Sequence, residues 1–266
     1  MPIELRYRIV DVFTDRPLAG NALCVVLDPC PDAVMAAIAR EVNLSETTFP
    51  VVTGDGTYEM RIFTPGAELP FAGHPSLGTA WCLGPGKWEQ TTEGGTVVVE
   101  ADASGAVMEQ PVPRFTYADP DQGVQALGLP GAEAASVAEA GGLTHLLLAT
   151  DAPLGHLTPE NAMVEAASRA SGAHDLVAFR RLDDETLHVR VFAPSLGIAE
   201  DAGTGSAAGP VALLARRLWG TAVDLTILQG GEIGRPCRIE VHAEEDDLRV
   251  GGRVAACADG RFTLPP

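Results

Sequence analysis

The chain has 266 residues, 46% hydrophobic and 20% charged, with 36 acidic side chains against 18 Lys and Arg and a formal net charge of −18. That length suits one large domain or two ordinary ones, and so acidic a surface repels phosphate backbones and anionic lipid, which excludes nucleic acid and membrane surfaces as partners. The five cysteines (Cys24, Cys30, Cys82, Cys237, Cys257) form no CxxC pair, so neither a zinc site nor a disulfide framework is expected; with no visible signal peptide and no apolar run near the ~20 residues of a bilayer span, a cytoplasmic protein without a metal is expected.

In chain order, "LRYRIVDVF" (5–13) alternates and is rich in β formers, and "GNALCVVLD" (20–28) reads as a second strand. "PDAVMAAIAREVN" (31–43) places Val34, Met35, Ile38 and Val42 at helical spacing and closes on Asn43. Strands are expected at 46–52 and 58–64, then a buried helix over 74–84 with Pro75 in its first turn, where a missing N–H costs nothing. "TVVVEA" (96–101) and "VMEQP" (107–111) form a hairpin, and the proline-rich 111–123 reads as a crossover between halves. Beyond it come a strand at 142–149, a helix at 159–172 and strands at 175–181 and 186–194. An apolar helix follows at 203–217, which Pro210 should kink or delay, and then short β segments over 222–264. Two lobes are expected, 1–115 and 116–266, with the C-terminal strand a candidate to cross back to the first.

Two stretches repeat. "RIFTPGAELPFAGHPSLGTAWCL" (61–83) and "RVFAPSLGIAEDAGTGSAAGPVALL" (190–214) both open R-[IV]-F-[TA]-P. Both pass through a loop with acidic residues into Gly-x-x-Ser and an apolar helix. Gly73 and Ser76 match Gly203 and Ser206 once a single inserted residue is allowed. Only two copies, far apart, point to a duplicated half-domain rather than a solenoid. Each helix start would offer backbone N–H groups and a positive partial charge to one point. Two such starts facing one cleft suit a small anion, most simply a carboxylate.

The motifs "NLSETTF" (43–49), "ELPFAGHPSLGTA" (68–80) and "EDAGTGSAAGP" (200–210), with the opening "VDVFTDRPLAGNALCVV" (10–26), resemble the PhzF family of phenazine-biosynthesis-like isomerases. The resemblance implies an α+β diaminopimelate-epimerase-like fold, with two pseudo-symmetric lobes, each a β-barrel-like sheet around a central helix. It implies cofactor-free proton transfer on a small carboxylate by a homodimer. Carried over by motif, the acid/base is Glu46, with His74 and Asp201 beside it, and Gly73, Ser76, Thr204, Gly205 and Ser206 bind substrate. The other histidines receive no role. The chain departs from the family pattern at Ala202-Gly203, where Pro-Ala is usual, and at Gly20-Asn21-Ala22, where Gly-Asn-Pro is usual. Each change removes a rigid proline beside the expected cleft.

Two other readings stay open on the residues. A racemase or epimerase of the same fold would need a base on each face of the carbon, typically two thiolates, yet no cysteine lies at either helix start. A small-molecule binding protein without catalysis would keep the cleft but has no need of Glu46, His74 and Asp201 together.

Overall fold

A computed structural model describes residues 3–264. These form two units, one running to Glu109 and resuming at Gly251, the other spanning Gln110–Val250.

In the first unit, β1 (Ile3–Val12) pairs antiparallel with β2 (Asn21–Val26). Helix α1 (Asp32–Val42) leads into β3 (Glu46–Gly54), which lies parallel to β2. Asn43 ends α1 as expected, in the left-handed region that a short polar side chain tolerates, with its N–H donating to the Ala39 carbonyl. β4 (Thr57–Phe63) runs antiparallel to β3, and the two-residue β5 (Glu68–Leu69) folds back on β4. Helix α2 (Gly73–Leu83) follows, then β6 (Gly86–Thr92) parallel to β4, β7 (Gly95–Ala101) and β8 (Gly105–Glu109). The long β17 (Leu248–Leu264) pairs with both β1 and β8. The ring therefore closes: eight strands (β1–β4, β6–β8 and β17) form a barrel with no open edge.

Helix α2 packs against β1, β2, β3, β7 and β8 and is buried from Gly73 to Ala80. Its sequence permits this because it has no charged face. Gly78 lets the wall approach: a Cβ there would lie 2.7 Å from Leu23 and 2.9 Å from Val12. Helix α1 instead lays its buried face, Met35, Ile38 and Ala39, beside Cys24, Phe49 and Phe63.

The second unit repeats the connectivity. β9 (Arg114–Tyr117) and α3 (Asp121–Leu127) precede β10 (Ala134–Ala140) and β11 (Leu143–Ala149), an antiparallel pair. Helix α4 (Asn161–Ser171) crosses to β12 (Asp175–Arg181), parallel to β11, and β13 (Thr186–Ala193) returns antiparallel. A short turn at Pro194–Leu196 and β14 (Ile198–Asp201) lead into α5 (Gly205–Trp219). β15 (Asp224–Gln229) then runs parallel to β13 and antiparallel to β16 (Cys237–Ala243). Helix α5 is buried from Gly205 to Ala215, while α3 and α4 share a core with Leu146, Leu148, Leu176 and Ala178.

The bounds of the second buried helix need correction: α5 starts at Gly205 rather than 203 and continues through Pro210 to Trp219. The segment 111–123 is also not only a crossover, since it holds β9 and the start of α3.

The duplicated Arg-x-Phe has a physical basis. In both units the arginine forks onto the acid of the next short strand: Arg61 on Glu68 at 2.6 and 2.7 Å, Arg190 on Glu200 at 2.8 and 2.6 Å. Each guanidinium also lies over the phenylalanine two residues on, at 5.1 Å for Phe63 and 5.0 Å for Phe192. The motif clamps the strand to the segment that leads into the buried helix.

Candidate active site

Glu46 is the first residue of β3, beside Leu23 of β2. Alternate strand residues share a face, and Thr48, two residues on, meets Thr79 of α2 through its hydroxyl at 2.8 Å. The face carrying Glu46 therefore looks at α2. Glu46 reaches the helix's first turn, where its Oε2 lies 3.4 Å from His74 Nε2. Both side chains are buried, Glu46 at 7% exposure and His74 at 3%. The other ring nitrogen, Nδ1, lies 3.2 Å from Asn21 Nδ2. Burial pushes the His74 pKa down to about 3, against a smaller opposing effect of the Ala22 backbone. The ring is thus neutral near pH 7, and its contact with Glu46 is not an ion pair there. A neutral imidazole has one N–H and one lone pair, so it can hydrogen-bond a substrate without adding charge.

Around it, α2 opens without a capping side chain. Ser76 turns inward. Its hydroxyl donates to the Ala72 carbonyl at 2.8 Å and accepts from Gln90 Nε2 at 2.9 Å, while Gln90 Oε1 accepts from the Tyr58 hydroxyl at 2.7 Å. The Ser76 N–H also donates to Ala72 O, at 3.4 Å. Ser76 thus secures the helix start that carries Gly73 and His74.

In the second unit, Asp201 ends β14 and is 6% exposed. It is not a helix cap: its Oδ2 accepts from the Thr204 hydroxyl at 2.6 Å, and Thr204 caps α5 with no side-chain bond to the helix. Gln229 closes this loop. Its Nε2 donates to the Asp201 carbonyl and to Thr204 Oγ1, both at 3.0 Å, and its Oε1 accepts from the Thr204 N–H at 3.2 Å. Gly230, at φ +75°, passes so close that a Cβ would lie 2.4 Å from the Ala202 carbonyl. The stiffness a proline would lend at Ala202 is supplied by Gln229. Gly205 and Ser206, both buried, open the helix beyond.

Gln90 and Gln229, which brace these clusters, were not singled out by the sequence, and Asn21 entered only as part of the departure Gly20-Asn21-Ala22. They are neutral amides, and no spacing rule marks an amide that will meet a particular ring or loop. A second buried imidazole–carboxylate pair also emerges: His145 Nδ1 lies 2.8 and 3.0 Å from the two oxygens of Asp175. The β11–β12 register sets His145 beside Asp175 as the β2–β3 register sets Leu23 beside Glu46. The thiols of Cys24 in β2 and Cys82 in α2 stay protonated near neutral pH, because burial pushes both up to about 12. Among the described residues, no three His, Cys, Asp or Glu side chains converge as metal ligands, and no helix is long and apolar enough to cross a membrane.

Residues 10–260 match the phenazine biosynthesis-like protein family, PhzC-PhzF. The chain is 38% identical over 284 residues to trans-2,3-dihydro-3-hydroxyanthranilate isomerase of Pseudomonas aeruginosa, covering 97% of this chain and 99% of that one. It is 32% identical to an uncharacterized isomerase of Pasteurella multocida, covering 97% and 94%. Among solved structures, a predicted epimerase from Pseudomonas aeruginosa superposes with a TM-score of 0.83 at 32% identity, covering 97% and 99%. A hydroxyproline epimerase from Agrobacterium vitis, with bound trans-4-hydroxy-L-proline, superposes with a TM-score of 0.62 at 10% identity over 99% and 93% of the two chains, a likeness of fold alone. The fold is diaminopimelate-epimerase-like, and the chain is an isomerase belonging to the PhzF family of phenazine biosynthesis-like proteins.

Proposed function

We propose that the chain isomerises a small cyclic unsaturated carboxylate by moving one proton, without a cofactor, and that Glu46 takes the proton from one carbon and returns it to another. The observation that carries this reading is the buried Glu46 carboxylate 3.4 Å from a neutral imidazole at the first turn of α2. A base at 7% exposure is shielded from bulk water that would compete for the proton in transit. His74 is then placed to hydrogen-bond the substrate and steady the shifting charge. The backbone N–H groups of Gly205 and Ser206 receive the substrate's carboxylate at the α5 start, which Thr204 shapes with its own N–H held by Gln229, and Gly73 offers its N–H to substrate at the α2 start. Asp201, tied to Thr204, orients the substrate's polar substituents, and Ser76 serves through the helix start it secures. The 38% identical relative makes a trans-2,3-dihydro-3-hydroxyanthranilate the first substrate to try. The same reading includes a homodimer working in the cytoplasm, the first part of which sedimentation of the purified chain checks.

The test is turnover in D2O followed by NMR. The reading expects a product carrying solvent deuterium at the carbon that receives the proton. If neither this compound nor a panel of cyclic amino-carboxylates exchanges or turns over, the proposed activity is wrong.

A further inference from the structure

Helix α5 continues across a residue that should interrupt its hydrogen-bond ladder. Pro210 has no N–H, so the carbonyl four residues earlier, that of Ser206, lacks the donor an unbroken helix would give it. That carbonyl lies in the first turn, beside Thr204 and Gly205. The missing donor comes from outside the helix. Gln110 Nε2 donates to the Ser206 carbonyl at 2.7 Å and approaches the Gly205 carbonyl at 3.4 Å. Only the NH2 end of an amide can meet a carbonyl, which fixes the amide's orientation. Gln110 is 5% exposed, and its Oε1 has no hydrogen-bond partner among the described residues, so no other bond accounts for an amide in this place. Gly209 provides the room: a Cβ there would lie 2.1 Å from Gln110 Oε1 and 2.6 Å from Leu248 Cδ2. The Gln110 N–H is anchored in turn to the Leu248 carbonyl at 2.8 Å. Helix α2 needs no such arrangement, because Pro75 falls in its first turn, where no N–H is used.

We propose that Gln110 is a positioning residue for the reaction: it supplies the donor that Pro210 lacks and so sets the first turn of α5. Each peptide plane carries a carbonyl on one side and the next N–H on the other. Holding the Gly205 carbonyl therefore aims the Ser206 N–H, and holding the Ser206 carbonyl fixes the plane of the next peptide, whose Ala207 N–H donates to the Thr204 carbonyl at 3.2 Å. The inference rests on the reading that this terminus receives the substrate's carboxylate.

Anthranilate, a stable amino-carboxylate, serves as the probe, with binding read from the amide NMR shifts of Thr204, Gly205 and Ser206. In the unaltered chain these amides should move on titration. Gln110→Met keeps the length and removes the donor, and it should weaken binding about tenfold, the size of one net hydrogen bond. Adding Pro210→Ala restores a helical N–H to the Ser206 carbonyl, so the double variant should bind as the unaltered chain does. If Gln110→Met folds and binds anthranilate undiminished, or if the folded double variant stays weak, the inference is overturned. Should Gln110→Met not fold, Gln110→Asn, whose amide is one carbon too short to reach the Ser206 carbonyl, takes its place and should show the same weakening and the same rescue by Pro210→Ala. If the three amides of the unaltered chain do not respond while those of Gly73 and His74 do, the carboxylate reading of this terminus fails first, and the inference falls with it.

Discussion

Arg61 and Arg190 occupy the same place in the two repeats and make the same fork onto a carboxylate, but in different surroundings. The Arg61–Glu68 side chains are 38% and 34% exposed, whereas those of Arg190–Glu200 are 5% and 11% exposed. Arg190 also donates to the Leu154 and Leu157 carbonyls at 2.9 and 2.7 Å, from the segment between β11 and α4. One sequence signature thus gives a solvated clamp in one unit and a buried strut in the other. What differs is the long β11–α4 connection that covers the second copy. The chemistry diverges in the same way. Register places Glu46 and Asp175 at matching positions, yet Glu46 faces His74 on the central helix, while Asp175 faces His145 on the neighbouring strand. The two units share a scaffold but not its polar groups: among the described residues, a carboxylate and an imidazole meet at a helix start in the first unit alone.

The largest expected effect is at Arg190. Replacing it by alanine leaves the Glu200 carboxylate and two carbonyls buried without their partner, which should cost about 3–5 kcal/mol in denaturant unfolding. A loss below 1 kcal/mol would mean the second clamp is as solvated as the first.

Acid comes next. His74 has its pKa pushed from 6.5 down to about 3 by burial. Between those values the unfolded chain binds a proton that the folded chain refuses, so this group opposes folding increasingly as pH falls from about 6.5 to about 3. Above that window it has no effect. The slope it contributes is at most ~1.4 kcal/mol per pH unit. His74→Gln should flatten that part of the stability curve, as followed by unfolding midpoints at pH 7, 5 and 4. The contrast is with Thr204 at the matching place in the second repeat, where Thr204→Val should leave the slope unchanged.

A smaller effect separates the two helix seats. Thr48 and Thr79 share one buried hydroxyl pair, whereas the second unit has Val177 where the first has Thr48, as the partners Ile62 and Val191 show. Thr79→Val should cost about 1–3 kcal/mol by stranding the Thr48 hydroxyl, and the double change to valine should restore most of it. Smallest is Arg61→Ala, expected within ~1 kcal/mol because water replaces the lost partner. A loss comparable to that of Arg190→Ala would erase the contrast between the copies.

Much of this was legible in the sequence because the signals were local. The R-[IV]-F-[TA]-P repeat, the helical spacing of Met35 and Ile38, and the uncharged run after His74 each reflect burial. The elements that escaped lack such a signal. β6, "GKWEQTT", is polar on both faces, and β10, "AASVAEA", is too alanine-rich to favour strand over helix. β5 has two residues, held to β4 by the turn at Thr64, whose hydroxyl accepts from the Ala67 N–H, and by the Arg61–Glu68 fork. Helix α3 has a glycine inside, Gly123, where a Cβ would lie 2.7 Å from Leu148, so packing rather than propensity explains it. At the site, motif matching supplied Glu46, His74 and Asp201. The amides that brace them, Asn21, Gln90, Gln110 and Gln229, depend on contacts between distant segments, and no single stretch encodes those.

In the proposed reaction Glu46 carries the proton. The most direct measurement is solvent deuterium incorporation into trans-2,3-dihydro-3-hydroxyanthranilate by Glu46→Gln, beside its melting curve and its affinity for anthranilate. Glutamine keeps the shape but cannot take up and return a proton. Exchange should slow by at least ~10²-fold, the lower end of what a general acid–base group supplies, with folding and ligand affinity nearly unchanged. Exchange at the unaltered rate in a folded Glu46→Gln protein would contradict this role and move the proton transfer to another group.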